Sequence, residues 1–314
     1  MKKTITILIP AYNEAPVLDS LYSRLDALSK TLKDFQLEFL FVNDGSRDET
    51  LEIITRFSKK DQRVSYLNLS RNFGKEIAMA AGIDHVTSDA LVIIDADLQD
   101  PPELIPEMVH YWQEGYDDIY ARRSSRHGET WFKKFTSKYF YRVLEKSTDI
   151  PIQRDTGDFR LLSRRCIEAL QQIRERERYT KGFFSWIGYK KKEITYIRDP
   201  RAAGETKWNY FKLFNLAIDG ITTFTTAPLR IASFFGVVVS ACAFFYILYL
   251  VLRTIFFGTD LAGYPSMMAV ILFLGGVQLL SLGIIGEYIA RIFNETKQRP
   301  LYFIEHYHRG GKKD

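Results

Sequence analysis

The sequence predicts an α/β protein: a mostly parallel sheet with helices on both faces, followed by a two-helix transmembrane hairpin. Three observations carry that prediction. Short apolar strands alternate with helical repeats through the first part of the chain, as in sheets covered on both faces. The run Leu91-Val92-Ile93-Ile94 is apolar on both faces, as a central parallel strand must be. Two uncharged runs, 231–252 and 267–286, are each long enough to cross a hydrocarbon core of roughly 30 Å. A buried helical hairpin of a soluble protein is the alternative, but such core helices are usually shorter.

Taken in order, Thr4–Pro10 reads as the first strand, with Ala11-Tyr12-Asn13-Glu14 as the turn at its C-terminal end. Val17, Leu18, Leu21, Leu25, Leu28 and Leu32 then recur at helical spacing. Leu37–Val42 is the second strand, closed by Asn43-Asp44-Gly45-Ser46, and Asp48 and Thr50 lead into a helix through Phe57. Val64–Leu69 is the third, followed by Ser70-Arg71-Asn72-Phe73-Gly74-Lys75 and an alanine-rich helix. Ala90–Ile94 is the fourth, and Asp100-Pro101-Pro102 opens a helix, since proline suits a first turn. No Gly-x-Gly-x-x-Gly follows the first strand and no P-loop occurs, which argues against a dinucleotide or Walker-type site.

Within residues 130–146, Trp131, Phe135, Tyr139 and Val143 fall on one stripe and Lys134, Lys138 and Arg142 on another. That pattern describes a helix in a membrane interface, or a surface helix packing its aromatics on a core. Residues 206–228 repeat it through Trp208, Phe211, Ile218 and Ile221 and run straight into the first apolar run, which favours the interface reading for both. The spans are expected at about 231–253 and 265–287, within a segment 229–292. Their connection carries no Lys or Arg, whereas Arg230 precedes the first span and Arg291, Lys297 and Arg299 follow the second. The positive-inside rule then places the catalytic domain and both termini in the cytoplasm, on a cell membrane crossed twice. Gly275, Gly276, Gly283 and Gly286 allow close helix packing, within the chain or between copies, so a homo-oligomer is expected. The cytoplasmic tail 293–314 alternates weakly over Arg299–His308, as a strand or hairpin would.

The 314 residues allow a large core and more than one unit, and a net charge of +5 names no partner by itself. Cys166 and Cys242 are too few for a disulfide framework, and His85, His110 and His127 have no metal spacing. The start, Met1-Lys2-Lys3-Thr4-Ile5, leads into a strand without a signal-like apolar region, which is expected to keep the first domain cytoplasmic. Basic, aromatic-rich helices beside apolar spans suit lipid better than nucleic acid, and no RNA-binding signature is present.

The chemistry gathers where the fourth strand stops. Asp95 and Asp97 lie one residue apart at the C-terminal edge of a parallel strand, where open α/β sheets bind ligands. Carboxylates there suit Mg²⁺ or Mn²⁺, which grip phosphates; alternatively Asp95 ends a strand and Asp97 or Asp100 caps a helix. Acidic and polar groups also end the first and second strands, which fits a nucleotide held through base, ribose and a metal-bridged diphosphate. Joined to a membrane hairpin, such a domain suggests a water-soluble donor and a lipid acceptor.

Pro10-Ala11-Tyr12-Asn13-Glu14, Val42-Asn43-Asp44-Gly45-Ser46-x-Asp48-x-Thr50 and Asp95-Ala96-Asp97-x-Gln99 resemble the signature of inverting family-two glycosyltransferases of the GT-A fold. Three further blocks are Arg71-Asn72-Phe73-Gly74-Lys75-Glu76, Gly157-Asp158-Phe159-Arg160-Leu161 and Arg201-x-x-Gly204-x-Thr206-Lys207-Trp208. With two C-terminal spans, the set is similar to the polyprenyl-phosphate glycosyltransferases, a group that includes dolichol-phosphate mannose synthases and, nearer to this sequence, bactoprenol glucosyltransferases. The resemblance implies a GT-A catalytic domain over 1–205. It implies a uridine pocket lined by Pro10, Tyr12, Glu14, Val42 and Asp44, with Asp95, Ala96 and Gln99 completing the nucleotide and diphosphate contacts. Asp97 would be the principal metal ligand, with Asp95 beside it. Arg123, Arg201 and Lys207 match the family's phosphate contacts, and Arg160 is a further candidate because guanidinium suits phosphate oxygens. Two of Arg122, Arg123 and Arg126 read as solvated surface charge.

A lipid monophosphate has a second pKa near ~6 and is mostly dianionic at neutral pH, so it needs little general base. Asp158 lies where relatives acting on hydroxyls place a base. It is expected to position the acceptor or a cationic partner; a helix cap or a salt bridge to Arg160 or Arg164 is the structural alternative. The expected reaction moves a hexose, glucose ahead of N-acetylglucosamine, from a UDP-sugar to undecaprenyl phosphate with inversion. A hydroxyl-directed glycan transferase is the alternative; its Gln-x-x-Arg-Trp segment and extra spans are missing from the sequence.

Overall fold

The computed structural model describes residues 2–123, 156–176, 178–196, 227–257 and 263–311. The chain divides into two compact units, Met1–Leu213 with Arg299–Asp314, and Phe214–Gln298. The expected helix at 130–146, all of the one at 206–228 except residues 227 and 228, and Arg126, Arg201 and Lys207 lie outside the described residues.

The first unit is built on a sheet of eight strands: β1 (Thr4–Ala11), β2 (Gln36–Asn43), β3 (Val64–Leu69), β4 (Ala90–Ile93), β5 (Asp118–Arg123), β6 (Thr156–Ser163), β7 (Lys191–Tyr196) and β8 (Ile304–His308). Their order is β7-β5-β6-β4-β1-β2-β3-β8. The run β3-β2-β1-β4 is parallel, as is the pair β5–β7. Strand β6 enters antiparallel between β4 and β5, and β8 closes the far edge antiparallel to β3. The sheet is therefore mostly parallel, and the first four strands end within one residue of where hydropathy places them.

Helices α1 (Ala15–Thr31), α2 (Thr50–Lys60) and α4 (Ile105–Gln113) share one core with the sheet, while α3 (Lys75–His85) and α5 (Arg164–Gln172) contact each other and strands of the same sheet, α3 on β1 to β3 and α5 on β4 and β6. Ile5, Ile7 and Ile9 of β1 meet Leu18, Leu21 and Leu25 of α1 and Ile54 and Phe57 of α2 in that core. Each fully buried Leu or Ile side chain contributes about 1.5–3 kcal/mol, so this register is strongly fixed. The helix expected at Asp100 starts later: Pro102–Leu104 forms a 3-10 turn ahead of α4. Asp100 caps neither element and instead accepts a hydrogen bond from the buried Tyr196 hydroxyl. A short helix, α6 (Thr180–Trp186), precedes β7.

The weakly alternating tail is a strand of this same sheet. Asn43 Nδ2 donates to Asn68 Oδ1 at 2.7 Å, and Asn68 Nδ2 donates to Glu305 Oε2 at 2.8 Å, so a chain of side-chain hydrogen bonds links β2, β3 and β8. Tyr302, just before β8, donates to Asp84 Oδ2 of α3 at 2.9 Å.

The second unit contains α7 (Ala227–Phe257) and α8 (Tyr264–Thr296), which pack against each other as a hairpin. With 31 and 33 residues they run roughly 45–50 Å, longer than a hydrocarbon core. Their apolar side chains point outward, with Phe234 65% and Leu279 71% exposed. Among the described residues, Phe273–Thr296 is long and apolar enough to cross a membrane, and Ala232–Tyr246 is a shorter apolar stretch. Helix α8 continues without a break past Glu287, whose carboxylate accepts from Arg291 at 2.9 Å one turn later.

Candidate active site

The chain passes from β1 outward to β2 and β3, then returns to β4 on the other side of β1. The C-terminal ends of β1 and β4 therefore flank a topological switch point, the place where open α/β sheets bind ligands. The turns after β1 and β2 are fastened together there. Asn13 donates its N–H to Ser46 Oγ at 3.0 Å and accepts the Arg47 N–H at 2.8 Å. The N–H groups of Glu14 and Ala15 reach Thr50 Oγ1 at 2.9 Å and Asp48 Oδ2 at 3.3 Å. Asn13 has φ 55°, a left-handed conformation that asparagine tolerates better than most residues. Asp48 and Thr50, read from sequence as the entry to a helix, thus also hold the Tyr12–Glu14 turn.

Asp44 joins a third loop to this edge. Its carboxylate accepts the N–H of Phe73 at 2.7 Å and of Gly74 at 2.9 Å. Burial pushes its pKa up, although these two donors and Arg71 pull the other way. Gly45 beside it has φ +65°, and a Cβ there would stand 2.4 Å from the Arg71 carbonyl carbon, so only glycine lets the loops meet. Tyr12 presents a ring 42% exposed, and Glu14 is half-buried. Pro10 and Val42 are opposite one another across β1 and β2 and both are buried. Val42 has no exposed surface, so its side chain belongs to the floor beneath the edge, not to a pocket wall. Ala96 and Gln99 are buried as well, while Asp97 is half-buried and accepts the Gln99 N–H at 3.1 Å.

Strand β6 brings the other half of the site. Ile93 of β4 is opposite Arg160 of β6, and continuing that antiparallel register by two residues sets Asp158 opposite Asp95. Two like charges so placed repel. Lys75 stands between them, its Nζ 2.6 Å from Asp95 Oδ1 and 2.5 Å from Asp158 Oδ2. Burial opposes the lysine's charge, but Asp95 and Asp158 outweigh it and hold its pKa above the ordinary value. Burial likewise pushes Asp158 upward; Lys75, Lys181 and Arg160 overcome that and hold the carboxyl below its usual range. Asp158 is thus an ionised carboxylate fastened to a lysine. Arg164 bonds Glu168 Oε1 and the Val86 carbonyl instead.

Lys75 escaped the sequence reading as a site residue, although it stood in one of the quoted blocks. The signal was there: a cation in the first turn of a helix opposes the helix dipole and has no local reason to be favoured. Arg160 requires a correction in the other direction. It has no exposed surface, donates from Nη1 to both Asp118 oxygens at 3.1 Å, and its guanidinium carbon lies 3.7 Å from the centroid of the Phe184 ring. A guanidinium enclosed in this way serves the fold, and in this structure it has no surface to present to a phosphate. Arg122 pairs with Glu193 at 3.1 Å on the surface. Arg123 ends β5 opposite Tyr196, its side chain lying outside the described residues.

No three His, Cys, Asp or Glu side chains gather into a complete metal cage among the described residues. The half-buried Asp97 carboxylate with Asp95 one residue away still fits a hard cation. Mg²⁺-like ions take one or two carboxylates and complete their shell with phosphate oxygens and water.

The pattern described as Glycosyl transferase family 2 matches residues 6–171, the stretch holding Tyr12, Asp44, Lys75, Asp95, Asp97 and Asp158. The chain belongs to glycosyltransferase family 2. Residues 227–292 of this glycosyltransferase match the GtrB C-terminal hairpin. It is 49% identical over 300 residues to an uncharacterized glycosyltransferase of Synechocystis, covering 96% of this chain and 94% of that protein. A prophage bactoprenol glucosyl transferase homolog of Escherichia coli is 44% identical over 301 residues, covering 96% and 98%. The bactoprenol glucosyl transferase of Shigella phage SfX is 43% identical over 301 residues, with the same coverage. The family-two enzyme thus combines a GT-A-like α/β domain with a hairpin of the kind found in GtrB.

Proposed function

We propose that this glycosyltransferase moves a hexose, glucose before others, from a UDP-sugar to a polyprenyl phosphate such as undecaprenyl phosphate, at the cytoplasmic face of a membrane. One observation carries the reading. A family-two site and a GtrB-type hairpin occupy one chain, and relatives matched over 98% of their own length bear the name bactoprenol glucosyl transferase.

The exposed Tyr12 ring offers a stacking surface for a base, and the turn it occupies is fixed by the bonds from Asn13 and Glu14. Asp97, with Asp95 beside it, would hold Mg²⁺ or Mn²⁺, which when bound neutralises charge on the leaving diphosphate. The ion pair with Lys75 lowers the basicity of Asp158, which makes it a weak base for taking a proton. The dianionic lipid phosphate needs none taken. One of its oxygens attacks the anomeric carbon opposite the UDP group, forming a carbon–oxygen bond as the bond to the diphosphate breaks, and the configuration inverts. Arg123, Arg201 and Lys207 complete this reading as phosphate contacts. Helices α7 and α8 would both cross the bilayer, with the connecting loop outside and the catalytic unit inside, supported by the basic residues at their outer ends.

Purified full-length protein incubated with undecaprenyl phosphate and a panel of UDP-sugars tests this, with the lipid product identified by mass. A hexose on the lipid phosphate is expected from UDP-glucose. An N-acetylhexose adduct alone would reassign the sugar, and transfer to a free sugar hydroxyl would overturn the acceptor.

A further inference from the structure

We propose that Lys75 is a further phosphate-binding residue, its ammonium meeting an oxygen of a substrate phosphate while Asp158 and Asp95 hold it in place. The inference rests on the function proposed above and names a residue for it. Of the three charged groups at this point of the site, Lys75 has the most surface to offer. Its side chain is 43% exposed, against 22% for Asp95 and 9% for Asp158. Asp158 commits Oδ2 to the lysine, and its Oδ1 is enclosed without a hydrogen-bond partner. The carboxylate is therefore placed to position the cation and the cation to meet the substrate. Asp158 is a positioning residue that acts through Lys75.

Three features agree. The carboxylates of Asp95 and Asp158 both lie within 2.6 Å of one ammonium, so two like charges stand close together and need that cation between them to be tolerable. Helix α3 delivers that cation from its first residue, directly after Gly74, whose φ of +95° turns the chain into the helix. A lysine there works against the helix dipole, and such breaches of a local rule gather at functional sites. The ammonium also stands on Asp95, two residues before Asp97, where a donor diphosphate and an incoming lipid phosphate would bring like charges together. A fixed positive charge at that junction offsets their repulsion.

The acceptor's monoester and the donor's diphosphate share this chemistry, and two measurements separate them. In Lys75→Met, either the KM for undecaprenyl phosphate or the Kd for UDP, read by calorimetry without acceptor, should rise about tenfold or more, the worth of a charged hydrogen bond. The quantity that rises names the phosphate. Lys75→Arg should recover most of the loss, because it keeps the charge. Asp158→Asn should move the same quantity less, and adding it to Lys75→Met should cost nothing further. That double variant also removes one cation and one anion together, so it supplies the reading where Lys75→Met alone does not fold. If both constants stay within about threefold of wild type in a folded variant, the proposal is overturned. A wild-type protein that makes no lipid product from any UDP-sugar would sink the proposed reaction, and the UDP measurement would still report on Lys75.

Discussion

Asp158 and Arg160 are two residues apart on β6, yet the ion pairs they anchor differ in whether anything can reach them. Arg160 and Asp118 have no exposed side-chain surface, and Phe184 covers the guanidinium. Asp158 pairs with a lysine that is 43% exposed and that also holds Asp95 at the strand edge. Charge type does not separate the two clusters. Position along the strand does: Arg160 is level with Ile93, the last residue of β4, whereas Asp158 is level with the turn beyond it. A closed pair can serve only the fold, while an open one keeps a charge available for a ligand. The variants that follow break or sharpen that contrast.

The largest effect belongs to the closed pair. Arg160→Met should destabilise the first unit by about 3–5 kcal/mol, because it removes the guanidinium that pairs with the buried Asp118 carboxylate. Denaturant unfolding of the purified protein measures this. Adding Asp118→Leu should restore much of the loss, since an apolar pair of similar volume often matches a buried ion pair. An Arg160→Met protein as stable as wild type, with weakened substrate binding, would reverse the assignment of Arg160 to the fold.

At the open edge the effects should invert. Asp97→Asn removes a half-buried charge and should leave unfolding almost unchanged. Transfer should fall about 10²–10³-fold, the scale of losing one preorganised electrostatic contact to a leaving group. Steady-state rates at saturating UDP-sugar check it. Loss of folding together with rate would move Asp97 to the structural side of the comparison.

The contrast also explains how far the sequence could be read. The four parallel strands were legible because their apolar runs are buried on both faces, and hydropathy records burial directly. Asp95 and Asp97 were legible because they stop such a run. Strand β6 was not placed, since all eight of its residues are buried and nothing in Thr156–Ser163 states its neighbours or direction. Without its register, Arg160 looked like one more cation near Asp158, and Lys75 looked like an ordinary helix residue. The role of Lys75 depends on the β4–β6 pairing, a contact between segments about 70 residues apart in sequence, and that of Arg160 on the β5–β6 pairing that brings Asp118 to it. The tail was legible only as a weak alternation, because β8 is an edge strand with three of its five residues exposed.

An exposed pair completes the series with the smallest effect. Arg24 of α1 donates to both oxygens of Glu103 ahead of α4, at 2.9 and 2.6 Å, but the side chains are 30% and 60% exposed. Water screens such a pair, and its geometry must be held against side-chain entropy, so Glu103→Gln should cost less than about 1 kcal/mol. The hydrogen bond from Arg24 lowers the Glu103 pKa despite opposing burial. A carboxyl lowered on folding adds stability that is present above its unfolded pKa, about 4.3, and is lost as pH falls through the folded value. Unfolding midpoints of wild type and Glu103→Gln should therefore differ slightly at pH 7 and converge toward pH 4 and below. Added salt should shrink the gap at pH 7 but leave the Arg160–Asp118 contribution largely intact, because ions reach one pair and not the other.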